Sequence, residues 1–283
     1  MRIVAYEIDG KAAYGVLSGD QIINPGKAFL ERYPDVRSVL DGAALPGLRE
    51  AITAASEPLA LANVTLTPPV NNPRKVFCVG LNYKSHVAET KRPDAEYPSI
   101  FVRFADSLTA HGAGLLYPGS KSEKFDYEGE LAVVIGKAGQ DIEESDAMDY
   151  VAGYACFNDA TVRDWQRHTH QWTPGKNFPG TGAFGPALVT ADEVGDITQC
   201  VLTTRLNGQV MQHASLSDLI FTLPVIISYL SRFTPLSPGD VIATGTPGGV
   251  GDRREPPLYM KPGDTVEVEI SGVGLLRNTV TAA

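Results

Sequence analysis

Cysteine is scarce. Cys78, Cys156 and Cys200 are the three in 283 residues, and their spacing suits no metal site. An odd, scattered set speaks against a disulfide framework and for a reduced, cytoplasmic setting. Positive charge is short as well: 24 Lys and Arg stand against 33 Asp and Glu, the net charge is -9, and no basic tract offsets it. That balance argues against nucleic acid or an anionic membrane as partner. An anionic substrate would therefore need a local positive site, either a metal ion or a positioned Lys or Arg. No run has the length and apolarity of a membrane span, and Met1 to Tyr6 goes straight into a strand pattern with no signal-like apolar region. The glycines of 245–251 lack the strand-to-helix GxGxxG arrangement of a nucleotide site and suit close approach of backbone to a pocket.

What remains is ordinary globular composition, 43% hydrophobic and 20% charged. Strand patterns dominate. Residues 2–8 and 12–17 form a hairpin about Asp9-Gly10, and residues 35–55 hold one or two short helices. Pro68, Pro69, Asn71, Asn72 and Pro73 suit a linker, which places a small N-terminal domain at 1–70 and a larger one at 71–283. Beyond it, Lys75–Gly80 reads as a strand, Thr90 to Pro98 as a polar, mobile segment, Tyr150–Phe157 as a strand, and 201–210 as a hairpin turning at Asn207-Gly208. Thr222–Phe233 reads as an amphipathic helix, and two last strands lie within 265–280. The class is β-rich α+β.

The stretch Phe125 to Gly136 organises the rest. After Tyr127 it reads as a strand, with Leu131, Val133 and Ile135 on one face and Glu128, Glu130, Ala132 and Val134 on the other. Two carboxylates side by side at the start of an apolar strand form either a solvated edge pair or a hard-metal site. Asp159, at the end of a strand and near the N-cap of a helix over 160–166, could join them. Three anionic oxygens without Cys or His suit Mg2+ or Mn2+, admit Ca2+, and disfavour zinc. His86 and Glu89, three apart on a helical turn, form a candidate base and its orienting carboxylate, or else an exposed histidine with an incidental neighbour. Lys176, in a Gly/Pro-rich loop, could aim at a substrate carbonyl or carboxylate, or simply be solvated. Arg163 and Gln166 fall four and seven residues after Asp159, so all three could share a helical face. They either touch substrate or pair locally. His111, His168, His170 and His213 read as structural or surface groups.

Five segments in this order resemble the fumarylacetoacetate hydrolase family over about 74–280: Gly80-Leu81-Asn82-Tyr83 with His86 and Glu89; Asp126 to Leu131; Asn158-Asp159 with Arg163 and Gln166; Gly175-Lys176-Asn177-Phe178; and Asp240 to Pro247. The resemblance implies a mixed β-sandwich roll and a Mg2+ or Mn2+ ion held by Glu128, Glu130 and Asp159. It also implies a lid carrying the catalytic His86–Glu89 dyad, Lys176 near the substrate keto oxygen, and substrate contacts from Arg163, Gln166 and Thr246. Arg103 stands where many relatives have lysine, and it is counted among the pocket's polar contacts. A homodimer is the family's usual assembly. The implied reaction is hydrolysis of a carbon–carbon bond in a 2,4-diketo acid (an acylpyruvate), releasing pyruvate and a carboxylic acid. The same site would also suit decarboxylation or keto–enol isomerisation of oxaloacetate-like or dienoic diacids. A non-catalytic metal-binding β module is the reading from another class.

Overall fold

The computed structural model describes residues 1–53, 57–90 and 95–282. Residues 91–94, within the segment expected to be mobile, lie outside the described residues.

The Gly129–Ile135 strand is central, and every residue in it is buried. Both of its faces are covered, which is why alternation here separates two cores rather than core from solvent. Leu131, Val133 and Ile135 enter one apolar cluster with Leu202, Val268 and Leu276 of a second sheet and with Ile226, Ile227 and Leu230 of the Leu223–Phe233 helix. Ala132 and Val134 face the opposite way, toward Val36, Val39, Leu40 and Leu48 of the N-terminal helices. Full burial of each such aliphatic side chain contributes about 1.5–3 kcal/mol.

The large sheet has twelve strands. Its central run places Arg2–Ile8, Gly182–Thr190, Val151–Asp159, Gly129–Ile135, Val241–Ala243, Val76–Gly80 and Ser99–Arg103 side by side. The five-stranded sheet, with Val201–Leu206 and Thr265–Ile270 inside, packs against one face to give a β-sandwich with few helices. The N-terminal hairpin, Arg2–Ile8 with Lys11–Ser18, is hydrogen-bonded into the large sheet through Arg2↔Val189 and Ile3↔Leu188. The segments before and after the Pro/Asn-rich stretch at 68–73 therefore share one sheet and one core.

Two short helices, Val36–Asp41 and Leu45–Thr53, stand within 35–55 as expected, and a third, Lys27–Arg32, precedes them. One local expectation is corrected. Asp159 caps no helix: it ends the Val151–Asp159 strand, and the chain makes one more bridge, Thr161–Val162 against Phe125–Asp126, before a four-residue helix Arg163–Gln166 whose N-cap is Val162. The carboxylate of Asp159 is thereby left free to face Glu128 and Glu130.

Antiparallel pairing sets that meeting. Gly129 lies opposite Asn158 and Glu130 opposite Phe157, and the Asp159 N–H donates to the Glu128 carbonyl at 2.8 Å. Gly129, between the two glutamates, is crowded: a Cβ there would run into the Thr204 hydroxyl of the second sheet. Gly129→Ala is expected to destabilise the fold by about 1–3 kcal/mol, the range for overpacking, and to weaken metal binding in parallel. Urea denaturation with a metal titration of the same variant checks both.

Candidate active site

Glu128, Glu130 and Asp159 are 4%, 2% and 0% exposed, so the solvated-edge reading of the glutamates is excluded. Each offers an oxygen within 4.8 Å of the others. Four carboxylates, these and Asp126, are buried here with three cations, Arg103, Arg163 and Lys176. The pairing is uneven. Arg163 spends Nε on Asp126 at 2.8 Å and Nη1 on Glu128 at 2.7 Å and on Gln166 Oε1 at 3.1 Å. Lys176 Nζ lies 2.5 Å from both Glu128 Oε2 and Asp159 Oδ2. Arg103 Nε donates to Asp159 Oδ1, while its other nitrogens reach the Ala160 carbonyl at 2.5 Å and the Ser107 and Thr181 hydroxyls. Glu130 has no ion pair among the described residues; its Oε2 accepts only the Gly245 N–H, at 2.8 Å.

The electrostatics follow from this accounting. Burial pushes the Glu130 carboxyl well above its ordinary range, and Asp159 and Glu128 push it further. Burial also raises Glu128, but Arg163 and Lys176 outweigh it and hold that group down at about 2. For Lys176, burial favours the neutral amine, yet Asp159 and Glu128 prevail and keep its pKa above the usual value. Removing one partner from a buried network of this kind costs about 3–5 kcal/mol. The surplus carboxylate is the point at which a divalent cation fits: three hard oxygens, one of them without a counter-charge, suit Mg2+ or Mn2+.

Distant segments hold the triad. Gly245, at φ +105°, presents its N–H to Glu130, and a Cβ there would meet Asn82 Cβ at 2.7 Å and the Val79 carbonyl at 2.9 Å. Asn82 ties the 80–83 turn to the Thr244 and Phe221 carbonyls at 2.8 and 3.1 Å. Gln212 receives the Gly129 N–H at 2.9 Å and donates to Thr246 Oγ1 at 2.7 Å.

His86 rides on the Lys84–Thr90 helix, 7% exposed, and lines the same cleft as the triad. Its Nδ1 lies 2.6 Å from Glu89 Oε1, and Glu89 Oε2 is anchored by the Gly249 N–H at 2.8 Å. With Nδ1 held, Nε2 is the ring nitrogen left for chemistry. Thr246, Gln166, Arg163 and Lys176 also line the cleft. Arg103 does not. It is 2% exposed behind Asp159, because its guanidinium is consumed by that carboxylate and its neighbours; the expected substrate contact is a brace for a ligand instead. Arg163 too is largely spent on Asp126 and Glu128.

Sequence reasoning assigned no role to Asp126 or Gln212. Asp126 accepts from Arg163 and from the Gly251 and Asp252 N–H groups at 2.8 and 2.9 Å. Its spacing of two from Glu128, which repeats that of Glu130, was a usable signal. Gln212 lies on a hairpin strand of the other sheet and carried none.

The sequence pattern of the fumarylacetoacetate (FAA) hydrolase C-terminal family matches residues 75–281. The chain belongs to the fumarylacetoacetate hydrolase family. The human protein described as oxaloacetate tautomerase FAHD2A, mitochondrial, is 42% identical over 240 residues, which cover 84% of this chain and 76% of that one. The structure of a fumarylacetoacetate hydrolase from Exiguobacterium antarcticum superposes with a TM-score of 0.88 at 33% identity, over 100% of both chains. Maleylpyruvate hydrolase from Sphingobium sp. SYK-6, in complex with manganese (II) ion and pyruvate, gives a TM-score of 0.83 at 27% identity, again over 100% of both chains. This chain is a β-rich enzyme of that family, with a buried acidic triad of the kind that holds a divalent ion. No helix among the described residues is long and apolar enough to cross a membrane, and all three cysteines are free. The cytoplasmic expectation differs from the location of the human relative, which is described as mitochondrial.

A pH dependence follows from Glu130. Its carboxyl is raised in the folded protein, so in the metal-free state its stability contribution is full below about pH 4.5 and is lost as pH rises through the folded pKa. A divalent cation competes with that proton. Stabilisation by Mg2+ is therefore expected to grow from about pH 5.5 to about pH 8, reaching a Tm rise of about 5–10 °C at a hundredfold excess over Kd. Differential scanning fluorimetry with and without Mg2+ at both pH values measures it.

Proposed function

We propose that this enzyme interconverts the keto and enol forms of a small 2-oxo acid of the oxaloacetate type. The observation that carries the reading is one buried imidazole, His86, with its Nδ1 occupied by Glu89, in the same narrow cleft as the Glu128–Glu130–Asp159 triad. The cleft over the carboxylates is small, about 70 Å³. The relatives described as oxaloacetate tautomerases support the same reading.

The chemistry needs only a proton shuttle. His86 Nε2 takes a proton from the carbon next to the 2-oxo group. The released electron pair forms the carbon–carbon double bond while the oxo oxygen takes up the charge, and return of the imidazolium proton to that oxygen completes the enol and restores neutral His86. Glu89 stabilises the imidazolium and fixes the ring. Lys176 keeps a positive charge beside the forming oxyanion, and Gln166 and Thr246 are the polar groups that orient substrate. Glu128, Glu130 and Asp159 would hold a divalent ion, which when bound supplies Lewis-acid polarisation of the 2-oxo group.

A second reading, hydrolysis of an acylpyruvate to pyruvate and a carboxylic acid, has one specific observation in its favour. The His86–Glu89 pair would activate water as readily as it would deprotonate carbon. It ranks second because the relative described as an oxaloacetate tautomerase is 42% identical, against 27% for the maleylpyruvate hydrolase.

The test is solvent-deuterium exchange at the C3 position of oxaloacetate, followed by proton NMR together with enol absorbance, using Mg2+-loaded protein and an EDTA control. Metal-dependent exchange is expected, and His86→Asn should lower kcat by about two to four orders of magnitude with metal binding unchanged. Cleavage of acylpyruvates to pyruvate without accelerated exchange would move the assignment to the hydrolase.

A further inference from the structure

The cleft that holds the triad ends in a polar rim that the reaction above does not use. Its charged members are Arg167, Asp252 and Arg253. Arg167 is committed: Nη1 reaches Asp252 Oδ1 at 3.2 Å and Nη2 pairs with Oδ2. Asp252 is further engaged by the Tyr259 hydroxyl at 2.9 Å. Arg253 is not. Its one charged contact is loose, Nε to Asp252 Oδ2 at 3.5 Å, its side chain is 37% exposed, and among the described residues its guanidinium makes no hydrogen bond.

The arginine is nevertheless not adrift. It sits on the short Gly251–Arg253 turn, whose first two N–H groups donate to the oxygens of buried Asp126, the carboxylate that also takes Arg163 Nε. One buried carboxylate thus fixes the position of the rim relative to the triad, as a reader of substrate length requires.

Charge divides along the cleft in a way that asks for two anionic groups. At the inner end three carboxylates, Glu128, Glu130 and Asp159, face two cations, Arg163 and Lys176; a divalent ion turns that deficit into one positive charge. Adding buried Asp126, which pairs with Arg163, and buried Arg103, which pairs with Asp159, leaves that sum unchanged. At the outer end two arginines face one aspartate, again one positive charge. A monocarboxylate neutralises only the inner site. A dicarboxylate neutralises both.

Resting on the tautomerase reading, we infer that Arg253 receives the distal carboxylate of a 2-oxo dicarboxylic acid, so that the enzyme selects diacids over 2-oxo monoacids. Arg167 positions this contact by occupying Asp252, which would otherwise capture Arg253.

Binding can be separated from turnover with ligands that do not enolise. Mg2+-loaded protein is titrated calorimetrically with malate, a four-carbon 2-hydroxy diacid, and with lactate, its three-carbon monoacid counterpart. The wild type is expected to bind malate about tenfold to a hundredfold more tightly, the range for one charge-assisted hydrogen-bonded contact. Arg253→Gln should bring malate down to the lactate level and leave lactate unchanged. Preference retained in Arg253→Gln, or abolished only in Arg167→Gln, overturns the assignment. A wild type that enolises oxaloacetate but binds malate and lactate equally also overturns it while leaving the tautomerase reading intact. A wild type that binds neither ligand and enolises nothing refutes both.

Discussion

One carboxylate without a counter-charge, Glu130, governs this site. Burying an ionised carboxylate is costly unless a cation or several donors answer it, and Glu130 is answered by a single backbone N–H. Glu128 and Asp159 share Lys176, and each has an arginine besides. The surplus negative charge suits the triad to a divalent cation, and under the proposed function the same surplus would let a chain of net charge -9 act on an anion. Positive potential would then be generated locally, by a bound metal and by arginines, rather than spread over the surface.

The fold supplies what that arrangement costs in stability. Strands buried on both faces carry Glu130 and Asp159, so the ligand geometry is enforced by two apolar cores rather than by loops. The cations are held by the residues that surround them. Arg103 spans Asp159, Ala160, Ser107 and Thr181, and Asp126 grips Arg163 together with the 251–252 backbone. Asp126 thereby links inner site and rim through one buried group.

Much of this could be read from residue spacing. The period of two along 128–135 anticipated that Leu131, Val133 and Ile135 share one core while the two glutamates share the opposite face, because strand geometry is local. The His86–Glu89 pair followed from helical spacing, and it forms. What could not be read depended on distance in sequence. Arg103 meets Asp159 across 56 residues, and nothing local distinguishes a brace from a substrate contact. Gln212 reaches the triad's backbone from the second sheet. Aspartate before a helical pattern is a strong cap signal, but the extra bridge at Thr161–Val162 delays the helix and leaves the Asp159 carboxylate to the triad. Strand pairing joins the segments on either side of the Pro/Asn-rich stretch at 68–73.

The account stands on the triad's appetite for a hard divalent ion, and equilibrium binding of Mn2+ followed by electron paramagnetic resonance tests that most directly. One tight site per chain is expected, lost in Glu130→Gln because the substitution removes the unpaired charge while preserving shape. Undiminished Mn2+ binding in that variant, or no tight site in the wild type, would contradict the account.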